Sequence, residues 1–248
     1  MNCIAKKKSL RILGTRGIPA AHGGFETFAE KLALYLHSRG WDVTVYCQKN
    51  DGKGIYEDTW HGVKRVNISV HRQGALGTII FDIKSILHAA KYSDLVLTLG
   101  YNTAIFCSWF RLKGITNIIN MDGIEWKRKK WGGFAKIWLY MNDWFGCWLG
   151  NHLIADHPMI KKHLETRISS KKCTMIPYGA DVIEGSDFDI LQQYDLEVYS
   201  YITLIARPEP ENSVLEIVSG FSRKNRGIKL VVLGEYRNDN EYHKNVKK

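Results

Sequence analysis

Short apolar runs alternate along the chain with segments that carry apolar residues three or four positions apart. The runs at 10–14, 42–48, 63–70, 94–100, 116–123, 152–156 and 173–181 predict β-strands. The spaced segments at 25–39, 78–92, 134–150 and 160–167 predict helices. Nearly all-apolar strands that alternate with helices are typical of a parallel sheet covered on both faces. The pattern predicts a doubly wound parallel-sheet α/β domain over residues 1–182.

The same pattern restarts near the end of the chain. Residues 183–199 are more acidic and are interpreted as a connector. A strand at 201–207, a helix at 211–224 and a strand at 229–236 form one βαβ unit, which a polar, basic tail follows. Because one such unit cannot bury both faces of a parallel sheet, we expect an incomplete second domain over 200–248. We therefore expect the chain to be the front part of a longer two-domain architecture, either truncated or with a vestigial second domain.

Composition and charge limit the ligands and the cellular environment expected for this protein. The chain has 248 residues, 45% of them hydrophobic, and a net charge of +10, which favours nucleic acid, acidic lipid headgroups or phosphorylated small molecules as partners. The five cysteines lack C-x-x-C spacing, so reduced thiols in a cytosolic protein are expected. No run approaches the roughly 18 apolar residues of a spanning helix, which predicts a soluble or peripheral protein.

A glycine-rich loop, within GTRGIPAAHGGFETF at 14–28, joins the first strand to the first helix. Ligands of doubly wound sheets bind at the carboxyl ends of the strands, and Gly23 and Gly24 would let backbone N–H groups approach an anion there. The G-x-G-x-x-G spacing is absent, and the second strand ends in Tyr46-Cys47-Gln48 without the acidic residue that binds a ribose. The loop therefore favours a phosphate ligand over a dinucleotide. The alternative is that its glycines serve only turns.

An aromatic-rich segment at 134–150 follows the basic run Glu125-Trp126-Lys127-Arg128-Lys129-Lys130-Trp131. One interpretation is a core helix with a solvated basic start. The other is a membrane-surface element, because cations attract anionic lipid and tryptophans favour the interface.

Four segments in order over residues 9–236 resemble one family: GIPAAHGGFETFAEKLALYLHSRGWDVTVYC, DGIEWKR, IPYGAD and ARPEPENSVLEIVSGF. They resemble the retaining nucleotide-sugar glycosyltransferases of the GT-B fold, family four, and most of all the bacterial branch with polysaccharide rhamnosyltransferases. The resemblance implies two Rossmann-like domains that face each other across a cleft. The first would bind the acceptor and the second the nucleotide-sugar donor.

The resemblance also implies roles for individual residues. The donor diphosphate is assigned to Gly23, Gly24, Arg207 and Asn212, where Asn212 stands in place of the family's usual lysine and brings no charge. Asp122 stands where many members have a histidine and is expected to orient the reacting sugar or accept a hydrogen bond from a hydroxyl. The expected acceptor-side residues are Arg16, Glu26, Tyr101, Asn102 and Trp126. Arg16 could instead meet phosphate, and Tyr101 and Asn102, which follow the strand at 94–100, could be turn residues without a ligand. Neither a cofactor nor a metal is implied, because helix N-termini and basic side chains balance the leaving diphosphate.

The function implied by the resemblance is transfer of a hexosyl group, rhamnosyl in the most similar branch, from a nucleoside diphosphate sugar. The acceptor would be a cell-surface polysaccharide or lipid-linked saccharide, and the enzyme would be cytoplasmic or peripheral on an anionic inner membrane surface. The family's E-x7-E pair would lie beyond residue 248, so the chain is expected to be inactive or impaired. The alternatives are a non-catalytic acceptor-binding remnant and a basic nucleic-acid-binding protein. Because the basic residues are spread out and no nucleic-acid-binding motif is present, nucleic acid is not an expected partner.

Overall fold

A computed structural model describes residues 7–21, 23–72, 74–128, 130–185 and 188–248. The chain divides into two compact units, one up to Gly179 and one from Ala180 onward. This division lies near the predicted end of the first domain at residue 182. The assignment of the two parts to acceptor and donor stays a prediction.

The described residues of the first unit form an eight-stranded sheet. Its strands are β1 (Ser9–Leu13), β2 (Asp42–Lys49), β3 (Ile55–Trp60), β4 (Val63–Ser69), β5 (Leu95–Leu99), β6 (Asn117–Asn120), β7 (His152–Ala155) and β8 (Cys173–Met175). They lie in the order β3-β4-β2-β1-β5-β6-β7-β8, and among these strands only the β3–β4 pair is antiparallel. The predicted parallel-sheet α/β fold is confirmed.

Helices cover both faces of this sheet. They are α1 (Gly24–Ser38), α2 (Gly74–Ala89), α3 (Ser108–Leu112), α4 (Gly133–Leu149) and α5 (Pro158–Glu165). Alternate residues of a strand point to opposite faces, so Val45 packs with Ala29 of α1 while Tyr46 belongs to the core that includes Phe81 of α2. This alternation makes the sheet doubly wound.

The order of the strands reverses at β1, which pairs with β2 on one side and β5 on the other. Chains that leave β1 and β5 therefore turn to opposite faces and open a crevice. At its base Gly14 has a φ of +79°, and an added Cβ would overlap the Leu99 carbonyl oxygen. Gly17, with a φ of +122°, is packed in the same way against Cys47. An added Cβ at Gly24 would meet no atom within 4 Å, so this end of the loop faces open space.

The structure corrects several predictions about the first unit: it adds β3 and α3, which the sequence pattern does not predict, and it changes the bounds of other elements. The polar, glycine-containing segment before the strand predicted at 63–70 contains the edge strand β3. Its exposed and half-buried residues alternate, so its sequence is too polar for a buried strand. The segment predicted at 173–181 as a strand that ends in a turn has its strand over Cys173–Met175. The helix predicted at 78–92 begins at Gly74 and ends at Ala89.

The second unit contains the predicted βαβ arrangement. Strands β9 (Tyr201–Ile205) and β10 (Lys229–Leu233) are parallel, and the helices are α6 (Asp189–Gln192), α7 (Val214–Ser222) and α8 (Glu241–Lys247). The short α6 lies in the expected connector, and α8 replaces the expected tail. Asn240 caps α8 by accepting hydrogen bonds from the Tyr242 and His243 N–H groups at 2.9 and 3.3 Å, which explains why a polar segment folds as a helix.

The substitution Gly14→Ala should destabilise the protein by about 2–4 kcal/mol, because it combines a left-handed backbone with an overlap onto Leu99. Gly24→Ala is the matched control, since the same methyl group enters open space. Urea unfolding of the two variants measures the difference. Equal stability of both would contradict the close approach of β1 and β5.

Candidate functional site

A cavity of about 260 Å³ lies at the carboxyl ends of β1 and β5, where the strand order reverses. We call it the switch-point cavity. Its lining combines backbone and side chains from the glycine loop, α1, α2, the end of β2 and the segment after β5: Leu13, Gly14, Thr15, Arg16, Phe25, Glu26, Gln48, Thr78, Phe81, Asp82, Ile86, Thr98, Leu99, Gly100, Asn102 and Thr103. Three residues predicted for the acceptor side, Arg16, Glu26 and Asn102, meet here.

Asp82 is the buried acid of the switch-point cavity. It projects from α2 with 9% of its surface exposed, and the Thr103 hydroxyl donates a hydrogen bond to it at 2.7 Å. Burial raises the pKa of Asp82 to about 7, because the charged form loses its hydration. The carboxyl therefore changes between hydrogen-bond donor and acceptor near neutral pH.

Glu26 is the second carboxyl of the cavity and organises the glycine loop. It lies in the first turn of α1, is buried, and accepts a hydrogen bond from the Arg16 N–H group at 3.0 Å. A Cβ at Gly23 would come within 3.3 Å of the other oxygen of this carboxylate. The position at a helix N-terminus favours the negative charge of the glutamate. Glu26 thus holds the strand-to-helix loop in its turn.

The polar groups of the cavity suit a small ligand with several hydroxyls. Two carboxyls, the Gln48 and Asn102 amides and the threonine hydroxyls can donate and accept hydrogen bonds around one volume. Asn102 is held through its backbone, since its carbonyl oxygen accepts a hydrogen bond from the Trp138 indole at 2.8 Å.

A second cavity, of about 480 Å³, adjoins the first and shares Arg16, Gln48 and Thr78 with it. We call it the basic pocket. Its other lining residues are Lys49, Asn50, Val70, Arg72 and Gly74.

Two further predicted acceptor-side residues form hydrogen bonds with other residues of this chain. Tyr101 is buried, and its hydroxyl accepts a hydrogen bond from the Glu125 N–H group at 2.8 Å; burial raises the pKa of this phenol. The half-buried Trp126 donates its indole N–H to Asp143 at 2.8 Å. Both side chains thus have structural partners, and a contact with an acceptor stays a prediction for each.

Asp122 follows β6, the strand next to β5, at the same edge of the sheet. Its backbone has a φ of +52°, and its N–H group donates to the Asn120 side chain at 3.1 Å. Burial raises the pKa of Asp122, and the nearby carboxylates of Glu125 and Asp156 add to this. Its expected role toward the reacting sugar stays a prediction.

Arg207 and Asn212 lie together in the second unit, after β9. The Asn212 amide donates to the Arg207 carbonyl oxygen at 2.8 Å, while the Arg207 side chain is exposed. Asn212 therefore shapes the loop on which Arg207 lies. Binding of a diphosphate by either residue, or by Gly23 and Gly24, stays a prediction.

Sequence reasoning missed Asp82, and a signal for it exists. Within the helix predicted at 78–92, Asp82 is spaced three and four positions from Ser85 and Ile86 and seven from Ala89, all of which are buried. A carboxylate on the apolar stripe of a helix indicates a functional or paired group, since acids are seldom buried without a reason. Lys49 and Arg72 were also missed, and their own surroundings in the sequence give no such signal.

The chain belongs to the family described as Domain of unknown function (DUF1972), which matches residues 7–181. No curated protein matches it in sequence.

Solved structures share the fold. Sucrose-phosphate synthase from Thermosynechococcus elongatus is 17% identical, with a TM-score of 0.71 over 97% of this chain and 66% of that protein. An α,α-trehalose-phosphate synthase (UDP-forming) from Burkholderia vietnamiensis is 9% identical, with a TM-score of 0.60 over 97% and 67%. UDP-GlcNAc 2-epimerase from Neisseria meningitidis, bound to UDP-GlcNAc, is 15% identical, with a TM-score of 0.56 over 97% and 68%. The chain thus has the Rossmann-like GT-B fold and spans about two thirds of the length of these proteins.

Stability should depend on pH through Asp82. Its pKa is 3.8 without burial and about 7 in the folded protein, so folding favours the protonated form. The associated stability is present below about pH 4 and is lost as the pH rises toward 7. Asp82→Asn, which is neutral and can still accept the Thr103 hydrogen bond, should be about 1–3 kcal/mol more stable than the wild type at pH 8. It should have no such advantage at pH 4.

Urea unfolding between pH 4 and 8 measures this difference, with Glu57→Gln on the exposed edge strand as the control. A stability difference that does not change with pH would contradict the assignment.

Proposed function

We propose that this member of the DUF1972 family acts as a nucleotide-sugar-dependent glycosyltransferase, with the acceptor site in the unit up to Gly179. The reaction is transfer of a hexosyl group from a nucleoside diphosphate sugar to a saccharide. The switch-point cavity carries the proposal, because it is a polar site at the strand ends where doubly wound folds bind ligands. The names of two proteins with this fold, the UDP-forming synthase and the UDP-GlcNAc-bound epimerase, support a nucleotide sugar as the donor.

The acceptor sugar occupies the switch-point cavity. Its volume of about 260 Å³ lies below the roughly 300–1,000 Å³ of sites for drug-sized ligands and suits a single sugar ring. Asp82 and Glu26 accept hydrogen bonds from sugar hydroxyls, and these hydrogen bonds are strong when the carboxyl group that accepts them is ionised. Asp82 is the positioning residue for the acceptor, since it is buried and lies on a helix rather than on a loop.

The donor-side roles follow the family resemblance. Arg207 stabilises the diphosphate that leaves, because a planar guanidinium suits phosphate oxygens. Asn212 orients the Arg207 loop, the Gly23 and Gly24 N–H groups bind phosphate, and Asp122 orients the reacting sugar. The proposed transfer is of a rhamnosyl or related hexosyl group, with retention, to a surface polysaccharide or its lipid-linked precursor.

A lipid-linked acceptor requires access to a membrane surface, and α4 offers an unusual outer face. Phe134 and Trp148 are 94% and 57% exposed, and Ile137 and Met141 are exposed on the same side of the helix. The buried side carries Asn142 and Asp143, which are 0% and 2% exposed. α4 therefore exposes large apolar side chains while it buries two polar ones beside Leu139 and Cys147, which an ordinary surface helix does not do.

Cations flank this apolar face at both ends of α4. Lys127 and Lys130 lie over the Trp126 and Trp131 rings before the helix, and Lys172 donates to the Cys147 carbonyl oxygen at its end. Exposed aromatic residues between cations fit the interface of an anionic bilayer. None of the helices in the described part of the chain has the length and apolar character needed to cross a membrane. We therefore propose that α4 lies on the bilayer surface.

Ligand binding to variants should distinguish the acceptor site at Asp82 from the donor diphosphate site at Arg207. At pH 8, where the Asp82 carboxyl is ionised, Asp82→Asn should weaken binding of the acceptor monosaccharide about tenfold or more, as expected for loss of a charged hydrogen-bond acceptor. It should leave the affinity for nucleoside diphosphates unchanged. Arg207→Gln should do the opposite. Saturation-transfer NMR with a monosaccharide panel and calorimetry with UDP, GDP and dTDP provide the measurements.

Glu57→Gln, which removes an exposed carboxylate at the sheet edge, should bind like the wild type. If the wild-type chain binds neither a monosaccharide nor a nucleoside diphosphate, the proposed function fails.

Membrane binding is tested by co-sedimentation with vesicles of phosphatidylcholine alone or with 30% phosphatidylglycerol. We expect binding to the anionic vesicles only, weakened by salt because the attraction between exposed charges is screened. The double variant Phe134→Ser/Trp148→Ser should lose most of it, whereas Leu76→Ser, an exposed leucine on α2, should not. Absence of wild-type binding, or equal binding by the double variant, would instead mean that the face contacts a protein or no partner.

A further inference from the structure

Three cationic residues, Arg16, Lys49 and Arg72, line the basic pocket. None of the carboxylates in the described part of the chain lines this pocket. From the observations below we infer that it binds a phosphate group, and that the acceptor is therefore a phosphorylated saccharide. The identity of the ligand as the acceptor rests on the proposed function, whereas the anion site does not.

The sheet itself brings the three cations together. Strands β4, β2 and β1 are consecutive neighbours and parallel, so their carboxyl ends lie side by side. Lys49 is the last residue of β2, while Arg72 and Arg16 lie just after β4 and β1. Three adjacent strand ends thus contribute one cation each.

Backbone hydrogen bonds link these segments to one another. The Gln48 N–H group donates to the Arg16 carbonyl oxygen at 2.9 Å, and the Val70 N–H group donates to the Lys49 carbonyl oxygen at 2.8 Å. The backbone on which the cations stand is therefore held in place without a ligand, which lowers the cost of binding.

These cations lack the acidic partners that others on the same sheet have. Arg11 pairs with Asp94 at 2.7 Å, Arg65 with Asp58 at 2.6 Å and Lys64 with Asp42 at 3.0 Å. Within the residues that the structure describes, no carboxylate forms an ion pair within 4 Å with Arg16, Lys49 or Arg72, although the charge of Lys49 also helps to lower the pKa of Asp58, the partner of Arg65. Arg16 and Arg72 are exposed and Lys49 is half-buried, so all three side chains can reach an anion in the pocket, which their positive field favours.

The shared lining residues indicate which anion this is. Arg16, Gln48 and Thr78 border both the basic pocket and the switch-point cavity. A sugar in the switch-point cavity can therefore extend a phosphate substituent into the basic pocket. Gly74 lies at the start of the 16-residue helix α2, whose N-terminus is positively polarised. An added Cβ at Gly74 would meet no atom within 4 Å, so this side of the pocket is open to an anion.

Calorimetry with the whole chain tests this inference, with inorganic pyrophosphate, glucose, glucose 1-phosphate and UDP as probes. Lys49→Gln and Arg72→Gln should each weaken glucose 1-phosphate and pyrophosphate binding about tenfold, as expected for loss of a charged hydrogen bond. Glucose 1-phosphate should bind at least about tenfold more tightly than glucose for the same reason. The control Lys91→Gln removes an exposed lysine just beyond the other end of α2 and should bind like the wild type.

The outcomes distinguish the anion site from the proposed function. If Lys49→Gln and Arg72→Gln bind both phosphate probes as the wild type does, or if neither probe binds, the anion site is refuted. If these variants weaken UDP binding but not glucose 1-phosphate binding, the pocket serves the donor and the inference is wrong. If pyrophosphate binding depends on both residues but Asp82→Asn binds glucose 1-phosphate as tightly as the wild type does, the anion site stands. The proposed sugar site then fails.

Discussion

The contact between Gly14 and the Leu99 backbone is the constraint on which the candidate site depends. Any side chain at Gly14 would overlap the Leu99 carbonyl oxygen, so β1 and β5 can stay paired to their ends only with glycine there. The chain then turns away from the sheet, and Glu26 secures that turn through the Arg16 N–H group. The crevice left between the two departing chains is the switch-point cavity. Asp82 closes it from α2, which packs on the opposite face of the sheet from α1.

The two cavities at this edge have opposite electrostatic character although they share residues. Carboxyl groups of Glu26 and Asp82 line one, and cationic groups line the other, with Arg16 common to both. Burial works against the charge of Asp82, and the Thr103 hydroxyl offsets part of that cost. Such an arrangement suits a ligand that is neutral and rich in hydroxyls at one end and anionic at the other. Within the proposed function, a phosphorylated sugar has this chemistry.

The helix α4 joins this site to the outer surface. Its Trp138 indole holds the Asn102 backbone beside the switch-point cavity. Its buried Asp143 accepts a hydrogen bond from Trp126, forms an ion pair with Arg167 at 2.7 Å and lies 3.1 Å from the His163 ring. These partners satisfy a carboxylate that would otherwise be costly inside the unit. On its outer face, α4 exposes Phe134, Ile137, Met141 and Trp148.

The sequence by itself determined the alternation of strands and helices, the glycine loop and the restart after residue 200, because periodicity and glycine stereochemistry are local properties. It also marked Arg16, Glu26 and Asn102, which follow strands or open a helix. Only the tertiary structure decided that Asp82 joins them and that Lys49 and Arg72 meet Arg16. These residues lie far apart in the chain, and only the crossover connections of a parallel sheet bring their strand ends to one edge. The tertiary structure also determined that β3 lies at the sheet edge and that α4 has an apolar outer face. Which face of an element meets solvent depends on the elements that pack against its other face.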